Sequence, residues 1–215
     1  PAADLSEQIP TAGMEASGTG NMKLSMNGAL TIGTEDGANI EMKEAITEKW
    51  WPFSFGATSD EIADLKRMDA QTAWDICIQN ENIKRAVDTL KDGSLVSNES
   101  EQQSLLNLYN ILIDGNDQNQ ADKYFVLHDL QSFYDTQKRV EKLYLTPDKW
   151  AETAIHNIAG MGKFSSDNVI NNYAKSIWDI EKCPISNATM QRVVKDFNEF
   201  SKPAIMHSKI GPKTV

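Results

Sequence analysis

The run Gly13-Met14-Glu15-Ala16-Ser17-Gly18-Thr19-Gly20-Asn21-Met22-Lys23 decides how the rest of the chain is read. Gly18 and Gly20 permit the positive-φ or close-approach backbone of a ligand-wrapping turn. Ser17 or Thr19 can cap a short helix that begins near Asn21. A helix start presents unpaired backbone N–H groups, which is a seat for a phosphate. Lys23 falls within the first turn or so of that helix, close to the same cradle. It is the only Lys or Arg among residues 1–42. Two generic phosphate motifs fail on these residues. Gly13 and Gly18 have Walker A spacing, but Thr19-Gly20 follow where Lys-Ser/Thr is needed. Lys23 stands where a dinucleotide loop running from Gly18 needs its third glycine.

Outward from this run, Asn27-Gly28 predicts a helix stop. Ala29 to Gly33 predicts a short apolar strand, too brief for a helix between two glycines. Asp36-Gly37-Ala38-Asn39 opens a helix through Ile40, Met42 and Ile46. Trp50 to Phe55 predicts a second strand ending at Gly56, and Ser59-Asp60-Glu61 cap a helix carrying Ile62, Leu65 and Met68. On the other side, Leu5 to Ile9 predicts one helical turn after an Asp4 cap. Alternating helices and strands are the rhythm of a parallel α/β sheet.

From residue 71 onward the strand signals vanish, and helices are predicted over 72–79, 81–91, 101–114, 129–144, 147–160 and 166–178. Leu105, Leu108, Tyr109 and Leu112 have the spacing of a buried helix face, as do Phe133, Val140 and Tyr144. Thr146-Pro147 starts a helix with proline at its first position. Ser165-Ser166-Asp167 caps the next one, ahead of Val169, Ile170, Tyr173 and Ile177. The tail offers one more amphipathic stretch, Met190, Val193, Val194, Phe197 and Phe200, then a frayed basic end. Two strands do not make a stable sheet. The missing ones are therefore expected upstream of Pro1.

With 215 residues, 40% hydrophobic and 24% charged, the chain is long enough for one domain with a real core. A net charge of −10 argues against nucleic acid or an anionic membrane as partner. No apolar run is long enough to span a bilayer and no leader pattern is visible. Cys77 and Cys183 form no metal or redox motif and read as inert thiols in a reducing, cytoplasmic setting. His128, His156 and His207 lack metal-ligand spacing, so no metal is expected. Glu35-Asp36 reads as a solvated turn and helix start, and Trp50-Trp51 as core packing. The acidic balance poses a question. Residues 1–42 hold Asp4, Glu7, Glu15, Glu35, Asp36 and Glu41 against Lys23 alone, too little positive charge for a phosphate dianion. Basic groups from outside this neighbourhood, and a chain that is a piece of something longer, would answer it.

Beyond spacing, Glu15 to Lys23, Asn27-Gly28-Ala29-Leu30-Thr31-Ile32-Gly33-Thr34 and Asp36-Gly37-Ala38-Asn39 resemble the pyridoxal-phosphate segment of the α-glucan (glycogen, starch, maltodextrin) phosphorylases. Pro1 to Ile9 and Gly162-Lys163-Phe164-Ser165-Ser166-Asp167 look like the same family. The resemblance runs from Pro1 to about Trp178, is most specific over the first 42 residues, and finds no counterpart beyond Ile180. Leu24 and Glu35 depart from its phenylalanine and leucine, away from the ligand positions.

The resemblance implies a fold, a cofactor and a site. The fold would be part of a Rossmann-like C-terminal lobe of a two-lobed GT-B glycosyltransferase, with residues 1–182 in that lobe and 183–215 an extension. Lys23 would be the Schiff-base lysine of pyridoxal 5'-phosphate. Thr19 and Gly20 would hold the cofactor phosphate, while Glu15, Ser17 and Gly18 would bind the hydroxyls of the transferred glucosyl unit. The complete enzyme would be a cytoplasmic homodimer converting α-1,4-glucan and orthophosphate to glucose 1-phosphate with retention, and the isolated piece would be inactive. The alternative is a non-catalytic helical interaction domain carrying a vestigial cofactor loop.

Overall fold

The computed structural model describes residues 3–68, 73–115, 120–182 and 184–200. Its centre is a three-stranded parallel sheet, β1 (Leu5–Gln8), β2 (Leu30–Thr34) and β3 (Ser54–Phe55), in the order β1-β2-β3. Leu5 to Gln8 register with Leu30 to Gly33, and Gly33 and Thr34 with Ser54 and Phe55. Leu5 to Gln8 is therefore a strand and not a helical turn. Its backbone groups find partners in β2, which outweighs any local cap at Asp4. The strand expected over Trp50–Phe55 contracts to two residues, because Glu48–Trp50 winds into a 3₁₀ turn first. Every residue of β2 is buried, as befits the middle strand of a sheet covered on both faces.

The crossovers are α1 (Gly20–Met26) between β1 and β2, and α2 (Ala38–Ile46) between β2 and β3. After β3 the elements among the described residues are all helical. They comprise α3 (Ser59–Met68), α4 (Ala73–Gln79), α5 (Glu81–Asp88), α6 (Glu99–Ile113), α7 (Val126–Tyr144), α8 (Pro147–Gly160), α9 (Ser166–Ser176) and α10 (Asn187–Phe200). Pro147 opens α8 as its spacing predicts. The cap of α3 lies one residue earlier than expected. Thr58 accepts from the Glu61 N–H at 3.3 Å, while the Glu61 carboxylate accepts the Thr58 N–H at 2.8 Å, a reciprocal capping box. The chain divides into two compact units, one running to Asn168 and one starting at Val169. Among the described residues no helix is long and apolar enough to cross a membrane.

In the first unit, α7 and α8 cover the sheet face that carries Leu30 and Ile32. There Phe53, Phe55, Val140 and Trp150 close a core, with Leu5, Phe133, Leu143 and Ala154 at its rim. Phe53 is 1% exposed and its ring sits 6.2 Å from that of Trp150. Phe53→Ala should destabilise the chain by about 3–5 kcal/mol, because the cavity adds to the lost transfer energy. A urea unfolding curve checks this. A second cluster joins α2 to the turn after α8 through Met42, Ile46, Trp51 and Met161. A third gathers Ala73, Cys77, Ile83, Val87 and Leu127. The face predicted for α6 is less buried than its spacing suggests. Tyr109 and Leu112 only edge that third cluster and Leu108 is exposed, because one short helix flank is all that α4 and α7 leave to cover. Tyr144 is likewise exposed beyond the core.

The end of β3 is pinned to α7 by one carboxylate. Asp129 accepts the Ala57 N–H at 2.9 Å and contacts His128 Nδ1 at 3.1 Å. That contact raises the His128 pKa above the ordinary histidine value, with partial burial opposing it and Asp129, Glu61 and Asp122 adding attraction. A histidine pKa raised in the folded state adds stability that is fully present below about pH 6.5 and is lost as pH climbs through the raised value. The urea midpoint should therefore fall on going from mildly acidic to mildly alkaline buffer. In His128→Gln that slope should flatten.

Candidate functional site

The loop from Gly13 to Thr19 leaves the carboxyl end of β1, and the turn Glu35-Asp36-Gly37 leaves the carboxyl end of β2. Both lie on the edge of a parallel sheet where α/β folds bind ligands. The turn grips the loop at successive points. Asp36, 7% exposed, accepts the N–H groups of Met14 at 3.1 Å and Glu15 at 2.8 Å on one carboxylate oxygen. The Ala38 N–H donates to the Ser17 carbonyl at 2.7 Å. The Asn21 amide donates to Asn39 Oδ1 at 2.9 Å, and the Asn39 amide donates in turn to the Thr34 carbonyl at 3.0 Å. Between these contacts Gly37, at φ +50°, leaves no room for a side chain, since a Cβ there would stand 2.6 Å from the Ser17 carbonyl oxygen. Gly18 takes φ +78° at the loop's own bend, a conformation glycine adopts without strain.

The clamp fastens backbone and leaves side chains free. Glu15, Ser17, Thr19 and Lys23 are exposed and Gly18 is half-buried. A Cβ at Gly20 would meet nothing within 4 Å, so the space in front of it is open. Thr19 occupies the cap position of α1, yet no side-chain cap bond forms from it or from Ser17, whose hydroxyl turns to the Gly18 carbonyl at 3.2 Å. Asn21 satisfies the Met22 N–H instead, at 2.9 Å. Among the described residues the Thr19 hydroxyl and the N–H groups of Thr19 and Gly20 therefore carry no hydrogen bond. Lys23 lies four residues on, its N–H reaching the Thr19 carbonyl at 3.3 Å, and so shares that helix face. Side chains on a helix lean toward its amino end, so Lys23 starts from the same end of α1 as those donors. One cation, one hydroxyl and two amides thus lie within the first turn of one short helix at an open surface, a donor set suited to phosphate oxygens.

Sequence reading missed Asp36, Asn21 and Asn39 as builders of this site. Glu35-Asp36 is not a solvated pair. Only Glu35 is at the surface, bonded to Lys43, whereas Asp36 is buried under the loop. The available signal was an Asp-Gly turn directly after a buried strand, since aspartate there hydrogen-bonds nearby backbone. Other candidates stay apart from the site. Trp51 packs in the core, and Trp50 stacks on His156 with ring centroids 4.0 Å apart. Burial raises the Cys77 thiol pKa, as expected of an inert cysteine. Cys183 and His207 lie outside the described residues. Among the described residues no three His, Cys, Asp or Glu gather as metal ligands would.

The carbohydrate phosphorylase family model matches residues 1–180. The glycogen phosphorylase of Chlamydia pneumoniae is 46% identical over 180 residues, 84% of this chain and 21% of its own length. That of Bacillus subtilis is 42% identical over 181 residues, covering 84% of this chain and 22% of the relative. The human brain-form glycogen phosphorylase is 42% identical over 182 residues, 84% and 20% respectively. The chain therefore spans about a fifth of the length of these relatives. The matched region takes in the sheet, the clamped loop and Lys23, and this chain belongs to the carbohydrate phosphorylase family.

Proposed function

We propose that this chain forms the cofactor-anchoring part of the C-terminal lobe of a GT-B α-glucan phosphorylase, with residues 183–215 as an extension of that lobe. The observation that carries the reading is that Lys23 stands one helical turn after the Thr19 hydroxyl and the Thr19 and Gly20 amides, which carry no hydrogen bond among the described residues. These residues fit pyridoxal 5'-phosphate: Lys23 would tether its aldehyde carbon, and Thr19 and Gly20 would donate to its phosphate. Bound there, the cofactor supplies a phosphate whose second pKa, about 6, suits it to exchange a proton with orthophosphate near neutral pH.

The chain's own residues then bind and orient. Glu15 accepts hydrogen bonds from hydroxyls of the glucosyl unit, and Ser17 and the Gly18 backbone offer complementary groups. Asp36 and Asn39 keep these groups in place relative to Lys23. Lys23 anchors and performs no proton transfer in phosphorolysis of the α-1,4 linkage, which yields glucose 1-phosphate with retention. One lysine does not balance a phosphate dianion, so the remaining positive charge comes from the part of the phosphorylase chain outside these residues. The second lobe and a second subunit complete a cytoplasmic homodimeric enzyme.

This division of labour predicts that the 215 residues alone are inactive. Supplied with pyridoxal phosphate, glycogen and orthophosphate, the chain should release no glucose 1-phosphate above background. Sustained turnover would contradict the proposal that the rest of the chain completes the site.

A further inference from the structure

The clamp on the loop has two separate arms. The first is Asp36 and Ala38, which hold the backbone of Met14, Glu15 and Ser17. The second is Asn39, which holds Asn21 at the start of the helix that carries Lys23. Gly18, at φ +78°, is the bend between the two held segments. We infer that Asp36 is a positioning residue for sugar recognition, acting through Glu15 and Ser17, and that this role separates from cofactor anchoring, which Asn39 supports. The inference rests on the proposed assignment of Glu15 and Ser17 to the glucosyl unit and of Lys23 to the cofactor.

The physical basis is the contrast between fixed backbone and free side chain. Glu15 is exposed and, among the described residues, its carboxylate makes no hydrogen bond or ion pair, so the placement of its own backbone sets where it stands. That placement depends on the charge-assisted bond from its N–H to Asp36 at 2.8 Å. The second lone acceptor bond, from Met14, fixes the approach of the same arm at 3.1 Å. Ser17 is set by a single bond, its carbonyl accepting from Ala38. Neither bond touches the segment Thr19–Lys23. Asp36→Asn weakens the first arm by removing the negative charge that both amides face. Ala38→Pro strikes the same arm by another route: it deletes the donor to Ser17, and its ring Cδ, standing where the N–H points, displaces the Ser17 carbonyl now held at 2.7 Å.

The test uses the complete phosphorylase chain, with three readouts: pyridoxal content per subunit, kcat, and KM for glucose 1-phosphate in the synthetic direction. Asp36→Asn is expected to raise KM about tenfold, the loss of one charge-assisted hydrogen bond, with pyridoxal content unchanged and kcat altered far less. Ala38→Pro should show the same split, which keeps the inference testable if Asp36→Asn folds poorly. Asn39→Ala should do the reverse and lower pyridoxal content. Parallel loss of cofactor and sugar affinity in all three variants would show one rigid unit and overturn the inference, as would an unchanged KM in both first-arm variants. Failure of the underlying reading shows differently, as wild-type enzyme with no pyridoxal on Lys23, and it would overturn both.

Discussion

Lys23→Ala in the complete phosphorylase chain is expected to remove bound pyridoxal phosphate and to lower phosphorolysis by roughly a thousandfold or more, as loss of a member of a catalytic unit does. The fold should not notice. Lys23 is exposed and takes part in no ion pair among the described residues, so the unfolding free energy should change by less than about 0.5 kcal/mol. Lys23→Arg should be as inactive, since a guanidinium keeps the charge but does not condense with an aldehyde. Cofactor absorbance, activity and a melting curve on the same preparations separate these effects. A non-catalytic interaction domain with a vestigial loop predicts instead that none of the three measurements moves.

The second large effect is expected from Gly37→Ala. Gly37 adopts φ +50° and ψ −140°, a region open essentially to glycine. An added Cβ would stand 2.6 Å from the Ser17 carbonyl oxygen and 2.9 Å from Glu15 Cγ. The backbone oxygen has nowhere to go while Ala38 holds it at 2.7 Å. Backbone strain and clash together should cost about 2–4 kcal/mol. Activity should suffer more than stability. Relief of the clash moves Glu15 and Ser17 together, and a displacement near 1 Å in a binding loop costs on the order of a hundredfold in rate. A control at Gly20, where a Cβ meets nothing within 4 Å, should leave the melting curve near wild type. If Gly37→Ala were as stable and as active as wild type, the turn would not be the loop's support.

Much of this fold was legible because local signals and tertiary packing agree. Pro147, the capping residues near Ser59 and the glycine-bounded strand at Leu30 to Thr34 each announce an element by chemistry confined to a few neighbours. Leu5 to Gln8 was not legible as a strand. Its four residues show no clean alternation, and what makes them a strand is hydrogen bonding to residues 25 positions away. The segment before β3 misled for the opposite reason. Trp50, Trp51 and Phe53 look like a strand, but Trp51 turns into the cluster around Met42 and Phe53 into the sheet core. At the site, the bend at Gly18 and the helix start after Thr19 were readable, because glycine and a capping residue type announce them locally. The clamp was not. Asp36 and Asn39 matter through contacts to residues about twenty positions earlier, and only the packing of β2 beside β1 brings them there.

The clamp also bears on the acidic balance near Lys23. Of the six carboxylates among residues 1–42, Asp36 spends its charge on two backbone amides and Glu35 on Lys43. Glu15 is left as the exposed acid of the loop, three residues before the Gly18 bend, where a sugar hydroxyl rather than a phosphate would be its partner.

The most direct measurement is borohydride reduction of the complete phosphorylase, followed by peptide mapping of the pyridoxyl label. The label is predicted on Lys23, in the peptide that holds Thr19 and Gly20. A label on another lysine, with Lys23 unmodified, would contradict the account.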